Sequence, residues 1–237
     1  MISVRGLHKR FGELDILQGV DAEIPTGRIT GVVGPNAAGK TTLIKSILGL
    51  TRPDSGVIEV AGTRVNGDES YRSRIGYMPQ IARFPSNMTG AELITMLREL
   101  RPDATDVDET LLSSFELASE MNKKLNTLSG GTKQKINAVA AFLFKPELLI
   151  LDEPTAGLDP RSSSVLKDKI LADRARGRTF VITSHVMSEL EELADEVIFI
   201  SDGRIRFNGS LSQIMHLTRQ ANLERAIVEL MERGAAA

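Results

Sequence analysis

The chain has 237 residues, enough for one large domain or two small ones with a sizeable core. Lysines and arginines number 29 against 31 aspartates and glutamates, a net charge of −2, so no overall electrostatic pull toward nucleic acid or anionic lipid is present. Cysteine is absent, which excludes disulfides, iron–sulfur clusters and thiolate zinc sites, and the three histidines, His8, His185 and His216, are scattered.

The start, Met1 to Gly6, lacks the charged end and long apolar stretch of a signal peptide. The most apolar window, Ala138 to Leu151, is broken by Lys145-Pro146-Glu147, so no membrane span is expected. A soluble chain that reaches a membrane only through a partner is the expectation. Ile2 to Ile24 reads as two or three antiparallel strands with turns at Gly6, Gly12 and Gly19. Ile29-Thr30-Gly31-Val32-Val33 is an apolar run of buried-strand type, and residues 42–50 carry apolar side chains at helical spacing.

Between these two lies Gly34-Pro35-Asn36-Ala37-Ala38-Gly39-Lys40-Thr41-Thr42, which fits G-x-x-x-x-G-K-[ST]. Strand, glycine-rich turn and helix point successive backbone N–H groups and a helix N-terminus at one spot, a cradle for a diphosphate. The backbone at Gly34, Asn36, Ala37 and Gly39 would line it. Lys40 would reach the β- and γ-phosphates, the Thr41 hydroxyl would coordinate Mg²⁺, and Thr42 could contact the α-phosphate. Ala37 occupies a slot where related loops usually carry glycine: it is strained if the backbone there needs a positive φ, and harmless otherwise.

Further on, Val57–Val60 and Ile75–Met78 read as strands, the second ended by Pro79. From about 85 to 145 glycine thins out, and helices are expected over 91–100, 107–117 and 132–144, a helical insertion in an otherwise α/β chain. The alternation then resumes with a strand at 148–151, a helix at 160–175 with proline in its first turn, a strand at 179–183 and a helix at 186–194. Residues 196–200 and 204–207, joined through Asp202-Gly203, form a predicted hairpin. Helices near 210–217 and 223–233 close the chain within a C-terminal segment, 210–237, and Gly234 to Ala237 reads as a frayed end.

Two more stretches carry chemistry. Leu148-Leu149-Ile150-Leu151 ends in Asp152-Glu153, and carboxylates at the C-terminal end of a central parallel strand face the ligand crevice. Asp152 would hold Mg²⁺ and Glu153 would polarise the water that attacks the γ-phosphate. Alone, two acidic residues at a strand end are commonplace; beside a phosphate loop they are a pair with a task. Ser129-Gly130-Gly131 ahead of a helix is a second anion-binding design, with Ser129 as N-cap and two glycines freeing N–H groups, although an ordinary capped helix start has the same letters.

With these residues in hand, the chain resembles the ATP-binding subunit of ABC transporters along nearly its whole length. Ser129-Gly130-Gly131 sits in the family's signature, with Thr132 where the commonest form has glutamine. Gln80 after Tyr77-Met78-Pro79 matches the Q-loop glutamine, Gly157-Leu158-Asp159 the D-loop, His185 the switch histidine, and Phe11 the aromatic that stacks on adenine. Taken singly, Gln80 reads as a solvated loop residue, His185 as a structural histidine and Phe11 as core. Seven elements in the right order are far more specific than any one.

The resemblance implies a single ABC ATPase domain over 1–237. Its α/β P-loop NTPase core would have a parallel sheet, an N-terminal antiparallel β subdomain and a helical subdomain at 85–145. It implies ATP and Mg²⁺ as cofactors, with Lys40, Gln80, Glu153 and His185 at the reacting phosphate. Thr41, Gln80 and Asp152 would sit at the metal, and Phe11, Ser129, Gly130, Gly131 and Asp159 at the nucleotide. It implies a homodimer with ATP between the phosphate loop of one copy and the signature of the other. An integral membrane permease would be received near Ile81, Phe84, Pro85, Met88 and Leu93, with at least Phe84 or Met88 exposed in the isolated subunit. The location would be cytoplasmic, peripheral on the inner face of the cell membrane, with no nucleic acid bound. The ending Asn222 to Leu230 is similar to the export-type (ABC-2) group. The run Tyr77 to Thr89 is similar to the ATPase of the system that matures the copper sites of nitrous oxide reductase, which would make copper or sulfur the cargo. The alternatives are a non-transport ABC ATPase acting on nucleic acid or ribosomes, and a nucleotide-binding regulator without turnover. One cassette, no coiled-coil insertion and balanced charge weigh against the first, and an intact Glu153 and His185 against the second.

Overall fold

The computed structural model describes residues 1–67 and 69–235. Its first elements are β1 (Ile2–Phe11), β2 (Leu14–Ile24), β3 (Ile29–Val33), α1 (Lys40–Ile47), β4 (Ser55–Val60), β5 (Thr63–Arg64) and β6 (Ile75–Met78). There follow α2 (Gly90–Glu99), α3 (Thr110–Ser114), α4 (Gly130–Phe142), β7 (Leu148–Asp152) and α5 (Pro160–Ala175). The last are β8 (Thr179–Thr183), α6 (Met187–Leu193), β9 (Glu196–Ser201), β10 (Arg204–Ser210), α7 (Leu211–Thr218) and α8 (Leu223–Ala235). Two compact units result: Met1–Ser73 with Thr179–Ala237, and Arg74–Arg178.

The first unit holds an antiparallel sheet in the order β2-β1-β4-β5. Ile2 pairs with Ile24 on one side and Val60 on the other, so that Ile2, Val4, Ile24, Ile58 and Val60 all enter the core. The expected turn at Gly12 joins β1 to β2, but Gly6 and Gly19 lie inside the strands, where the register shifts. Both have positive φ, and an extra residue in a ladder needs that conformation, so these glycines mark bulges rather than turns. The same unit contains β3 flanked by β8 and β9, both parallel to it, with β10 returning antiparallel along β9. Every residue of β3 and β8 is buried, which is why both read as mainly apolar runs, with threonines the only polar residues, instead of alternating ones. Helix α1 buries Leu43, Ile44 and Ile47. Its C-terminal carbonyls are capped by Tyr71 Oη, which donates to Ile47 O at 3.1 Å, and by the Arg72 guanidinium, which donates to Leu48 O and Gly49 O at 3.0 and 2.9 Å.

In the second unit β6 runs parallel to β7, Ile75 opposite Leu148 and Met78 opposite Leu151. Leu148 to Leu151 are wholly buried, and each contributes on the order of 1.5–3 kcal/mol through the water it escapes. A capping box at Thr89 and Glu92 starts α2. The helix expected over 107–117 is much shorter. The Asp108 carboxylate accepts the Thr110 N–H at 3.0 Å and so sets a later start, and Glu116 at φ 56 ends the run before a 3₁₀ turn at Leu117–Ser119. Asp108 has a second task. Its other oxygen takes Lys169 Nζ at 2.5 Å, Lys169 also reaches Asp173 at 3.1 Å, and Arg178 closes on Asp173 at 2.6 Å, an ion cluster with Asp108, Lys169 and Asp173 all buried.

Other boundaries move by a turn or less. The helix expected from 42 begins at Lys40, and the one expected from 132 begins at Gly130, because Ser129 is its cap. Helix α8 continues through Ala235, so Gly234 and Ala235 are helical, not frayed; Ala236 and Ala237 lie outside the described residues.

Candidate active site

In the first unit β3 delivers the chain to Gly34, where a Cβ would sit 2.1 Å from the carbonyl oxygen of Ile200, so no side chain fits. Ala37 has φ 63, so the condition for strain at this alanine is met. Gly39 at φ 107 is the N-cap of α1 and, having no side chain, makes no side-chain cap bond at this helix N-terminus. Lys40 Nζ folds back on the loop and donates to Gly34 O at 2.6 Å and Pro35 O at 2.9 Å. Asn36 and Thr41 are exposed, and Thr42 is half-buried.

Phe11, expected at adenine, stands 51% exposed at the end of β1. Lys9 Nζ lies 5.1 Å from its ring centroid and is fixed by Asp54 at 2.9 Å, so a cation backs the ring. Hydrogen bonds from Lys9 and from Arg10 N–H hold the Asp54 carboxyl below its usual range. His185 is exposed just past β8, and the turn that carries it is tied by Val186 N–H donating to Ser184 Oγ at 3.0 Å.

In the second unit Asp152 ends β7 half-buried, and Glu153 follows, 9% exposed, at φ 52. Such a conformation in a non-glycine residue persists only where the surroundings over-determine it. Gln80 is exposed directly after Pro79. Ser129 Oγ accepts the Thr132 N–H at 3.1 Å and shares a hydrogen with Thr132 Oγ1 at 2.8 Å, so the threonine that departs from the signature's glutamine reinforces the cap. Ser129 and Gly130 are exposed, at the N-terminus of a 13-residue helix. A Cβ on Gly131 would meet Gly157 O at 2.9 Å. Asp159 is the N-cap of α5: its oxygens accept Ser162 N–H at 2.9 Å and Ser162 Oγ–H at 2.7 Å, and Lys135 lies at 3.1 Å. These Ser162 bonds, with Lys135 adding to them, hold its carboxyl well below the carboxylate range.

Beside Gln80 the second unit has a cavity of about 510 Å³ lined by Tyr77, Phe84, Pro85, Leu93, Met96 and Phe144, with Arg83 and Arg101. Of the expected socket residues, Phe84, Pro85 and Leu93 line it; Ile81, 71% exposed, and Met88 do not. Phe84 and Met88 are each half-buried, short of the exposure expected of one of them.

Sequence reasoning missed Lys9 behind Phe11, Lys135 on Asp159, and two buried amides of α4, Gln134 and Asn137. The signal for the amides was present: polar residues three apart on the apolar face of a helix require partners. Among the described residues no three His, Cys, Asp or Glu side chains gather to hold a metal by themselves, and no helix is long and apolar enough to cross a membrane.

The sequence pattern of the ABC transporter family matches residues 17–156. A daunorubicin resistance ATP-binding protein, DrrA3, from Streptomyces coeruleorubidus is 34% identical over 241 residues, covering 99% of this chain and 76% of that protein. A Nod factor export ATP-binding protein I from Burkholderia lata is 36% identical over 208 residues, covering 86% of this chain and 68% of that protein. A solved structure of an ATP-binding subunit of an ABC transporter superposes with a TM-score of 0.91 at 29% identity, covering 98% of this chain and 99% of the other. Phosphate loop, acidic strand end and capped glycine turn thus occur in a chain that belongs to the ABC transporter family, as one of its ATP-binding ATPase subunits.

Proposed function

We propose that this subunit binds Mg-ATP, pairs with a second copy of itself around two nucleotides, and by hydrolysing them drives export through a separate membrane permease. The observation that carries the reading is the Ser129-Gly130-Gly131 turn, exposed at Ser129 and Gly130. It is a capped helix N-terminus whose N–H groups and dipole suit an anion, in addition to the phosphate loop. A γ-phosphate that satisfies a phosphate loop on one copy and this turn on the other favours the closed pair, whereas ADP does not.

The roles follow from the chemistry of each group. Lys40 exchanges its bonds to Gly34 O and Pro35 O for the β- and γ-phosphate oxygens. The Thr41 hydroxyl, Asp152 and Gln80 are all-oxygen donors that suit Mg²⁺, which is ordinarily held by one or two carboxylates plus substrate phosphates. When bound, the ion neutralises charge on the phosphates. Glu153 orients the attacking water, His185 contacts the γ-phosphate, Phe11 stacks on adenine, and the D-loop at Asp159 borders the nucleotide. Asn36, Ala37 and Thr42 complete the cradle.

The helical segment 85–145, together with residues of the run Ile75 to Phe84, lines the cavity beside Gln80, and this is the proposed seat of a cytoplasmic helix of the permease. That partner would hold the subunit at the inner face of the cell membrane. Export is supported by the names of the relatives, which concern drug resistance and Nod factor export. The run Tyr77 to Thr89 supports the narrower proposal of copper or sulfur cargo in nitrous oxide reductase maturation. If the gene's deletion leaves the copper sites of that enzyme intact, the narrower proposal fails and the export reading stands.

The test is a Glu153→Gln variant with excess Mg-ATP in light scattering. Turnover falls by orders of magnitude and the mass doubles to that of a dimer. A strictly monomeric protein that binds ATP would overturn the proposal.

A further inference from the structure

Helix α4 carries two carboxamides on its buried side. Gln134 is 6% exposed and Asn137 2%, among Ile136, Ala138, Val139, Ala141 and Phe142. Their hydrogen bonds form one chain. Gln134 Nε2 donates to Glu153 O at 3.3 Å and Pro154 O at 3.4 Å. Gln134 Oε1 accepts from Asn137 Nδ2 at 3.3 Å, and Asn137 Nδ2 donates to Pro79 O at 2.8 Å. The orientation of both amides is fixed by this pattern, since carbonyl oxygens stand at both ends and accept only N–H.

The two anchored ends are the backbone of the residues that carry the chemistry. Glu153 holds a left-handed φ of 52, which requires an external clamp, and its carbonyl is one that Gln134 grips. Pro79 O belongs to the peptide bond that leads into Gln80, so Asn137 fixes where Gln80 leaves β6. The other end of the same helix is the Ser129-Gly130-Gly131 turn, about 10 Å from Asn137 at 1.5 Å per residue. A helix is stiff on that scale. One rod therefore carries the anion turn at its tip and grips the turns of Glu153 and Gln80 at its flank.

We infer that Gln134 and Asn137 are positioning residues of the ATPase: they set Glu153 and Gln80 against the signature turn, so that seating of a γ-phosphate at that turn is felt at both. The inference rests on the roles given above to Glu153 and Gln80. A core of plain apolar packing would not need two amides here, and a buried polar chain fixes geometry through the links it makes, here from Gln134 to Glu153 O and Pro154 O and from Asn137 to Gln134 and Pro79 O.

The test uses the whole subunit and steady-state phosphate release, with ATP affinity and thermal midpoint measured in parallel. Asn137→Ala removes both donor links, and Gln134→Met keeps the length and removes the grip on Glu153 O. Each is expected to lower kcat by roughly tenfold to hundredfold while KM for ATP stays within about twofold, the scale of a misplaced catalytic group. The discriminating readout is coupling. In a Gln80→Ala background, Asn137→Ala keeps only the part of its effect that runs through Gln134 and Glu153 and so lowers kcat by a smaller factor, whereas general loosening of the fold would lower kcat by the same factor in both backgrounds. Unchanged kcat in a folded single variant, or equal factors in the two backgrounds, overturns the inference. If Asn137→Ala does not fold, Gln134→Met decides on the kcat and KM criterion alone. Failure of the underlying reading shows differently: Glu153→Gln and Gln80→Ala would themselves turn over like the unmodified protein.

Discussion

Replacing Ala37 by glycine makes the protein more stable. Ala37 sits at φ 63, and a residue with a Cβ loses roughly 1–2 kcal/mol in that conformation. Glycine removes the clash but frees the unfolded chain, at a cost of about 0.4–1 kcal/mol. The Ala37 methyl is exposed, so little burial is lost. The balance is about 0.5–1 kcal/mol in favour of Ala37→Gly, or an increase of about 1–4 °C in Tm for a chain of this size. Thermal unfolding followed by circular dichroism without nucleotide measures it. Ala37→Val is the opposing arm, because a β-branched side chain tolerates positive φ least, and its Tm falls. A lower Tm for the glycine variant, or a higher one for valine, would show that the loop draws support from the methyl and that the strain argument is wrong.

Lys169→Met leaves Asp108 and Asp173 buried around an uncharged side chain and costs about 3–5 kcal/mol in urea unfolding; a loss below about 1 kcal/mol would show that water reaches the cluster. Acid dependence follows from the same residues. Burial pushes the Asp108 carboxyl up, but hydrogen bonds from Lys169 and Thr110 prevail and hold it at about 2, below the 3.8 of an unperturbed aspartate. Its folded pKa is the lower one, so its contribution is whole above pH 3.8 and disappears as pH falls through about 2. Asp108→Asn flattens the acid limb of stability in that window, and an unaltered limb would contradict the assignment. At the other unit, Phe11→Ala tests the proposed adenine platform: lost stacking of about 1–3 kcal/mol per base would raise KM for ATP roughly fivefold to hundredfold at unchanged kcat, and an unmoved KM would place adenine elsewhere.

The sequence makes the parts plain where one rule governs a stretch. Leu148–Leu151 is a buried strand because every residue is apolar, Ile29–Val33 because three of its five are large and aliphatic with no charge among them, and Pro160 marks a helix start. It misleads where a partner distant in sequence decides. The helix over 107–117 fails because the Asp108 side chain turns to its own backbone and to Lys169, sixty-one residues away. Gly6 and Gly19 read as turns because a bulge and a turn need the same positive φ. The spacing of Gln134 and Asn137 shows that two buried amides need partners, but nothing in it names the carbonyls they grip.

The resting place of Lys40 has its own consequence. Its ammonium braces the mouth of the loop through two carbonyls, 2.6 and 2.9 Å away, and so does from within what a phosphate does when it arrives. An arch with such a temporary prop keeps its span between one load and the next. On the proposed reading, arrival of nucleotide trades one set of hydrogen bonds for another instead of ordering a slack loop, and much of the entropy of assembly is settled when the chain folds.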